Sequence, residues 1–244
     1  MGSILQWLVG GSGPRLRFGR VVLEAPSPRH FEAWSALRRD SQRQLEPFEP
    51  KWPSDELSMR AYRRRLRRCR RERRHGVGAA FFIVRTSDAA LVGGVTLSSI
   101  RRGVTQSASI GYWIGLPFVR QGYATEGVAA VVNYAFDDLE LNRVEAACMP
   151  HNRASIAVLE KSGFRREGLA RRYLQINGIF QDHLLFARLR DDVPAWREAA
   201  PAELTSARPI DVVSDQAAFP AARGEIQTAP PNRPAASSTE GHAA

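Results

Sequence analysis

The chain has 244 residues, 43% of them hydrophobic, and a formal net charge of +10. That is enough apolar material for one sizeable domain with room for a tail, and it holds no apolar run long enough to cross a bilayer. Its two cysteines, Cys69 and Cys148, have no metal-ligand spacing. They exclude a disulfide scaffold and a zinc module, predict no metal, and fit a reducing cytoplasm.

The charge is uneven. Residues 191–244 carry eight acids and four arginines, a net of −4, which leaves +14 on residues 1–190. A basic field of that kind favours acidic partners such as nucleotides or RNA.

Residues 1–16 read as a lead-in. Leu16 to Ala25 alternates as a first strand that Pro26 closes. Ser27-Pro28 supplies an N-cap and first-turn pair for a helix to about Arg39, with Phe31, Trp34 and Leu37 inward. Three prolines make Leu45–Pro53 a stiff loop. Ser54 is then expected to cap a second helix reaching about His75. Its apolar stripe (Leu57, Ala61, Leu66, Cys69) is thin, and arginines from Arg60 to Arg74 cover the rest. Such a face is either solvated or a phosphate-contact surface.

Ala79–Arg85, Leu91–Ile100 and Ser107–Gly115 are β-branched and aromatic runs joined by short turns, an antiparallel meander. From Gly122 to Asp138 the apolar positions Ala124, Val128, Val131, Val132, Ala135 and Phe136 recur at helical spacing. That helix must be a right-handed crossover to a parallel strand, Arg143–Met149. Asn152 caps a helix over Ala154–Ser162, and strands follow at Phe164–Gly168 and Tyr173–Ile176. Asn177-Gly178 is a hairpin signal leading into Ile179–Leu189. The order βααβββαβαββ makes a mixed antiparallel–parallel α/β (α+β) sheet over residues 17–190. Residues 191–244 are Ala/Pro-rich and read as a mostly disordered tail.

Gly122 is the first functional signal. Without a Cβ it lets backbone approach a ligand, and the helix starting there turns unpaired N–H groups and its positive dipole end into the loop. That is a site for phosphate or pyrophosphate, with the charge of Arg120 beside it.

Gly111-Tyr-Trp-Ile-Gly115 followed by Gln121-Gly-Tyr-Ala-Thr-Glu-Gly127 resembles motif A of the GNAT superfamily of N-acetyltransferases. There the pattern Gln/Arg-x-x-Gly-x-Gly/Ala cradles the pyrophosphate of acetyl-CoA. Gly122 and Ala124 match it, while Val119 stands at the Gln/Arg position. The resemblance implies the GNAT fold and an acetyl-CoA site made by Ile114, Arg120, Gln121, Gly122, Tyr123, Ala124, Thr125 and Asn152. It also implies that strands 107–115 and 143–149 splay to admit the pantetheine arm.

Leu45-Glu-Pro-Phe-Glu-Pro50 resembles a loop of the RimJ/RimL-like ribosomal-protein-alanine acetyltransferases, with Phe48 in place of Trp. Met149-Pro-His-Asn152, Ser155, Gly163-Phe164, Glu167-Gly168, Tyr173-Leu174, Asn177-Gly178 and Asp182-His183 match the same branch. That branch acetylates the N-terminal α-amine of a protein. The resemblance therefore implies an Ala or Ser N-terminus, of a ribosomal protein, with Glu49, Phe48 and Tyr112 on the acceptor side. Acetylation of a polyamine or an aminoglycoside is one alternative, and a non-catalytic RNA- or ribosome-binding GNAT scaffold is another. The oligomeric state stays open.

Acetyl transfer requires the acceptor ammonium to lose a proton and the departing thiolate to gain stabilisation. Backbone N–H groups on strand 107–115 suit the developing oxyanion. Ser155 matches the serine that serves the thiolate in RimL-like enzymes, and Leu159 stands where many GNAT enzymes carry a Tyr. The RimL-like glutamate position holds Leu174. Glu126, Glu49 and a water chain are the three candidates for the base.

Overall fold

The structure, a computed structural model, describes residues 13–192. The lead-in up to residue 12 and the tail from residue 193 lie outside the described residues.

The expected first strand is a hairpin, β1 (Leu16–Phe18) and β2 (Val21–Glu24), because Gly19 takes a left-handed turn at φ +53°. A 3-10 turn over Pro28–His30 leads into α1 (Phe31–Asp40), then α2 (Gln42–Leu45) and a second 3-10 turn at Glu46–Phe48. Helix α3 (Met59–Arg74) begins four residues later than the expected Ser54 cap. Ser58 caps it, its Oγ accepting the Ala61 N–H at 3.1 Å. The Ser58 N–H itself closes a turn on the Asp55 carbonyl, and residues 54–57 form tight turns ahead of the helix. β3 (Ala79–Arg85), β4 (Leu91–Arg101), β5 (Ser107–Ile114), α4 (Tyr123–Asp137), β6 (Arg143–Cys148) and α5 (Arg153–Lys161) follow. Where two short strands were expected, β7 (Arg165–Ile176) is one strand with two register breaks, and Arg172 sits at φ +48° inside the second. β8 (Ile179–Leu189) ends the described fold.

The eight strands form one open sheet in the order β1-β2-β3-β4-β5-β6-β8-β7. Only β5 and β6 are parallel; a parallel neighbour needs a crossover, and α4 is that crossover. β3 shows how the helices sort. Phe81 and Ile83 join the core under α4 with Val128, Val131, Val132 and Ala135. Phe82 points the other way, to Trp34 and Leu37 of α1 and Tyr62 and Leu66 of α3, as strand alternation requires. Full burial of such a side chain contributes about 1.5–3 kcal/mol. Gly127 sets how closely α4 presses on the sheet, since a Cβ there would stand 2.6 Å from Ile83 Cδ1.

His30 links stability to pH. Its ring packs edge-on against Phe82 at 5.3 Å and its Nδ1 takes the Ser27 N–H at 3.2 Å. Burial, and then the nearby Arg29 charge, hold its pKa below the ordinary 6.5. The unfolded chain therefore binds the proton more readily than the folded one. Stability is complete above about 6.5 and falls as pH drops below it. Urea midpoints measured from pH 7.5 to 5 should show that loss, and His30→Gln should reduce it; an unchanged slope in the variant would assign the loss to other groups.

Candidate active site

The chain leaves β5 at Ile114, makes a 3-10 turn over Leu116–Phe118 and enters α4 through Val119-Arg120-Gln121-Gly122. Arg120 (φ +61°) and Gly122 (φ +88°) both take left-handed backbone. The N–H groups from Arg120 to Thr125 have no acceptor among the described residues. They lie at the start of a 15-residue helix, where the dipole adds to them. A run of converging N–H donors at that end is what a pyrophosphate requires. Arg120 is exposed beside it. Tyr123, in contrast, is buried; its ring meets Phe118, and the Arg20 guanidinium lies over it at 4.9 Å. Its side chain anchors the loop, leaving its N–H to the site.

A gap opens beside this loop. β5 and β6 pair only over Ser107–Ser109 and Arg143–Glu145, after which β6 keeps its partner β8 while β5 runs on alone on that side. The Gly115 N–H bonds to Val92 of β4 at 2.9 Å, so alternation turns the N–H groups of Ile114 and Tyr112 toward the gap. Across it the Tyr112 hydroxyl meets Ser155 Oγ at 2.9 Å and donates toward the Ser155 carbonyl at 3.1 Å. Burial holds the Tyr112 phenol well above its ordinary pKa, opposed by its hydrogen bond to Ser155. Cys148, the last residue of β6, sits in the same cluster, its thiol raised by burial and lowered in part by hydrogen bonding to Ser155. Asn152 caps α5, its Oδ1 taking the Ser155 N–H at 3.1 Å, which leaves its amide NH2 as the group that can reach a ligand. Leu159 is buried in the core.

The loop at Leu45–Pro50 closes over the mouth of this gap. The Phe48 ring rests on His151 with centroids 5.8 Å apart, and the Asn177 N–H of the β7–β8 turn bonds to the Glu49 carbonyl at 2.9 Å. Residues 48, 112, 152 and 155, scattered in sequence, thus converge at the N-terminus of α5.

Two of the expected acids are engaged elsewhere. Glu49 takes both arms of the buried Arg38 guanidinium at 2.8 and 2.7 Å and the Trp52 indole N–H at 2.8 Å. Arg38 in turn lies over Trp52 at 4.2 Å. With both oxygens occupied and its charge balanced, Glu49 fixes the loop rather than offering an open seat for an ammonium. Glu126 is held by Arg20, which donates its N–H to Oε2 at 2.8 Å and its Nε–H to Oε1 at 2.8 Å. A second arm of Arg20 bonds the Gln121 carbonyl at 2.8 Å. Glu126 therefore ties the phosphate-type loop to the β1–β2 turn. His183 and Asp182 serve the last hairpin: His183 is buried with Nδ1 against the Gln181 carbonyl, and Asp182 takes the Arg172 N–H.

Arg20, Arg38 and Cys148 had no signal in the sequence as members of this site. Each is brought in by tertiary packing, Arg20 from 106 residues away from Glu126 and Arg38 from 11 residues away from Glu49.

A sequence model described as the acetyltransferase (GNAT) domain matches residues 20–165. The chain is 46% identical over 112 residues to the probable N-acetyltransferase YjcK of Bacillus subtilis, a match covering 46% of this chain and 62% of that protein. It is 27% identical over 178 residues to the ribosomal protein uS5-alanine N-acetyltransferase of Escherichia coli, covering 73% and 92%. Among solved structures, Mycobacterium smegmatis RimJ in complex with CoA-disulfide superposes with a TM-score of 0.69 at 36% identity, covering 75% of this chain and 88% of that one.

Proposed function

The chain belongs to the GNAT acetyltransferase family, and from that premise we propose that it transfers acetyl from acetyl-CoA to the N-terminal α-amine, Ala or Ser, of a ribosomal protein. One arrangement carries the reading: a run of unpaired N–H groups at the start of α4 opens directly onto the gap that Tyr112 and Ser155 span. The first fits a pyrophosphate, and the second fits the reactive end of a long, thin co-substrate.

The donor supplies an activated acetyl thioester when bound. Gly122 to Thr125, with Arg120, hold its phosphates; the Tyr112 and Ile114 N–H groups present donors along the open edge of β5, where an oxyanion would be stabilised. Asn152 contributes its amide NH2. Ser155 Oγ would give a hydrogen bond to the departing sulfur once Tyr112, kept protonated by its burial, turns its one proton from the Ser155 carbonyl to the Ser155 hydroxyl oxygen, which lies at 2.9 Å. Of the three routes for the ammonium proton, water is the one the geometry favours, because Glu126 and Glu49 are each neutralised by an arginine. Glu126 becomes a positioning residue.

The acceptor class follows from the mouth of the gap. A polyamine or aminoglycoside needs uncompensated carboxylates, and Glu49 is fully paired. Phe48, partly exposed against His151, suits a peptide instead. The name of the Escherichia coli relative supports the same class. The test is to incubate the full chain with acetyl-CoA and peptides beginning with Ala or Ser, their N-blocked forms, spermidine and an aminoglycoside. Mass increase at the free α-amine is expected. Acetylation of the small amines alone would overturn the acceptor, and no CoA release with any of them would overturn the reading.

Glu126→Gln separates positioning from base catalysis. Losing one charged hydrogen-bond partner of Arg20 is expected to weaken acetyl-CoA binding by about tenfold while leaving the acid limb of the kcat profile in place. Disappearance of that limb, with affinity intact, would make Glu126 the base after all.

A further inference from the structure

Helix α3 carries a second feature that acetyl transfer does not use. Its buried side is anchored by Tyr62 and Leu66, which sit in the core with Trp34 and Phe82. On the opposite side Arg60, Arg63, Arg67, Arg70, Arg71 and Arg74 are all exposed. None of the six guanidinium groups makes an ion pair or hydrogen bond among the described residues. The carboxylates nearby are already committed: Asp55 to Arg64, Glu56 to Arg65 and Arg38, and Glu72 to Arg68. At 100° per residue the six span an arc of about 100°, and at 1.5 Å per residue the row is about 21 Å long.

We propose that this arginine row binds the phosphate backbone of double-stranded RNA. Like charges three and four residues apart destabilise a helix, so the row is least favourable with no counter-charge and gains most from a polyanion. No aliphatic or aromatic side chain interrupts the row. It thus lacks the apolar face that enters a membrane interface and the aromatic platform that stacks on single-stranded bases. What remains is a rigid line of guanidinium forks, matched to phosphate oxygens. Duplex RNA is recognised largely through shape and phosphate contacts. The choice of RNA over other polyanions rests on the ribosomal-protein reading above, whereas the row itself does not.

Fluorescence anisotropy of a labelled RNA duplex of about 16 base pairs, titrated with the full chain at several salt concentrations, tests this. Six phosphate contacts predict a slope of log Kobs against log salt of about −5. The triple variant Arg63→Gln, Arg67→Gln, Arg71→Gln should lose about three units of that slope and bind about 30-fold more weakly at low salt. Its acetylation of a free Ala peptide should equal the wild type's, which also shows that it folds. No duplex binding at about 50 mM salt, or equal binding by the triple variant, overturns the proposal. Equal or tighter binding to DNA duplex, polyglutamate or anionic vesicles overturns it as well. RNA binding without peptide acetylation would instead remove the enzymatic reading and leave the arginine row standing.

Discussion

Gly122→Asp should reduce acetyl-CoA affinity by at least about 100-fold, equivalent to about 2.8 kcal/mol, in calorimetric titration. Two causes add. Gly122 holds φ +88°, and a residue with a Cβ takes that conformation at a cost of about 1–2 kcal/mol. The new carboxylate would also stand among the N–H groups of residues 120–125, adding a negative charge where the pyrophosphate charge must settle. The substitution leaves room for folding, since the added Cβ would approach only the Arg20 guanidinium, at 3.2 Å. Gly122→Asn carries the same strain without the charge and should lose about tenfold; the difference between the two isolates electrostatics. If Gly122→Asp binds within threefold of the wild type while circular dichroism shows an intact fold, the phosphate site lies elsewhere.

Ser155→Ala should lower kcat by about 100-fold, within the range that a positioned proton donor supplies, while KM for acetyl-CoA changes little. The Asn152 cap uses the backbone N–H of residue 155, so the helix keeps its start and the loss reports chemistry. Tyr112→Phe should cost about tenfold in kcat, because the hydroxyl it orients is still present. The double variant should be little worse than Ser155→Ala, as expected of two groups acting as one unit. Burial keeps the Tyr112 phenol protonated across the neutral range, so no basic limb in the wild-type profile should disappear in Tyr112→Phe. Retention of kcat within twofold in Ser155→Ala would reduce Ser155 to an ordinary residue in the first turn of α5.

Several parts of this molecule were legible because their causes are local. The helix from Gly122 is written in the spacing of Val128, Val131, Val132 and Ala135, and all four are buried where that spacing puts them. The Asn177-Gly178 turn, the Asn152 cap and the antiparallel meander follow from residues within a few positions of each other, and each is present. Boundaries failed where a local signal had a rival nearby. Ser54 and Ser58 are both plausible caps, and the choice of Ser58 belongs to the turn that Asp55 and Glu56 make to reach Arg64, Arg65 and Arg38. Gly19 broke an alternating run that otherwise reads as one strand.

What the amino-acid sequence determined by itself was the helix start at Gly122, the mixed sheet and the membership of an acetyltransferase family. Whether a carboxylate is free or spent was decided only by the tertiary structure. Arg20 stands 106 residues from Glu126 along the chain, and Arg38 reaches Glu49 from the far side of α2. A carboxylate's charge can be read from one letter, but its electrostatic surroundings depend on which distant guanidinium the fold delivers to it. The same holds for the gap: β5 and β6 part after three residue pairs, the further end of β5 staying with β4 and that of β6 with β8, and no local pattern in either strand records that.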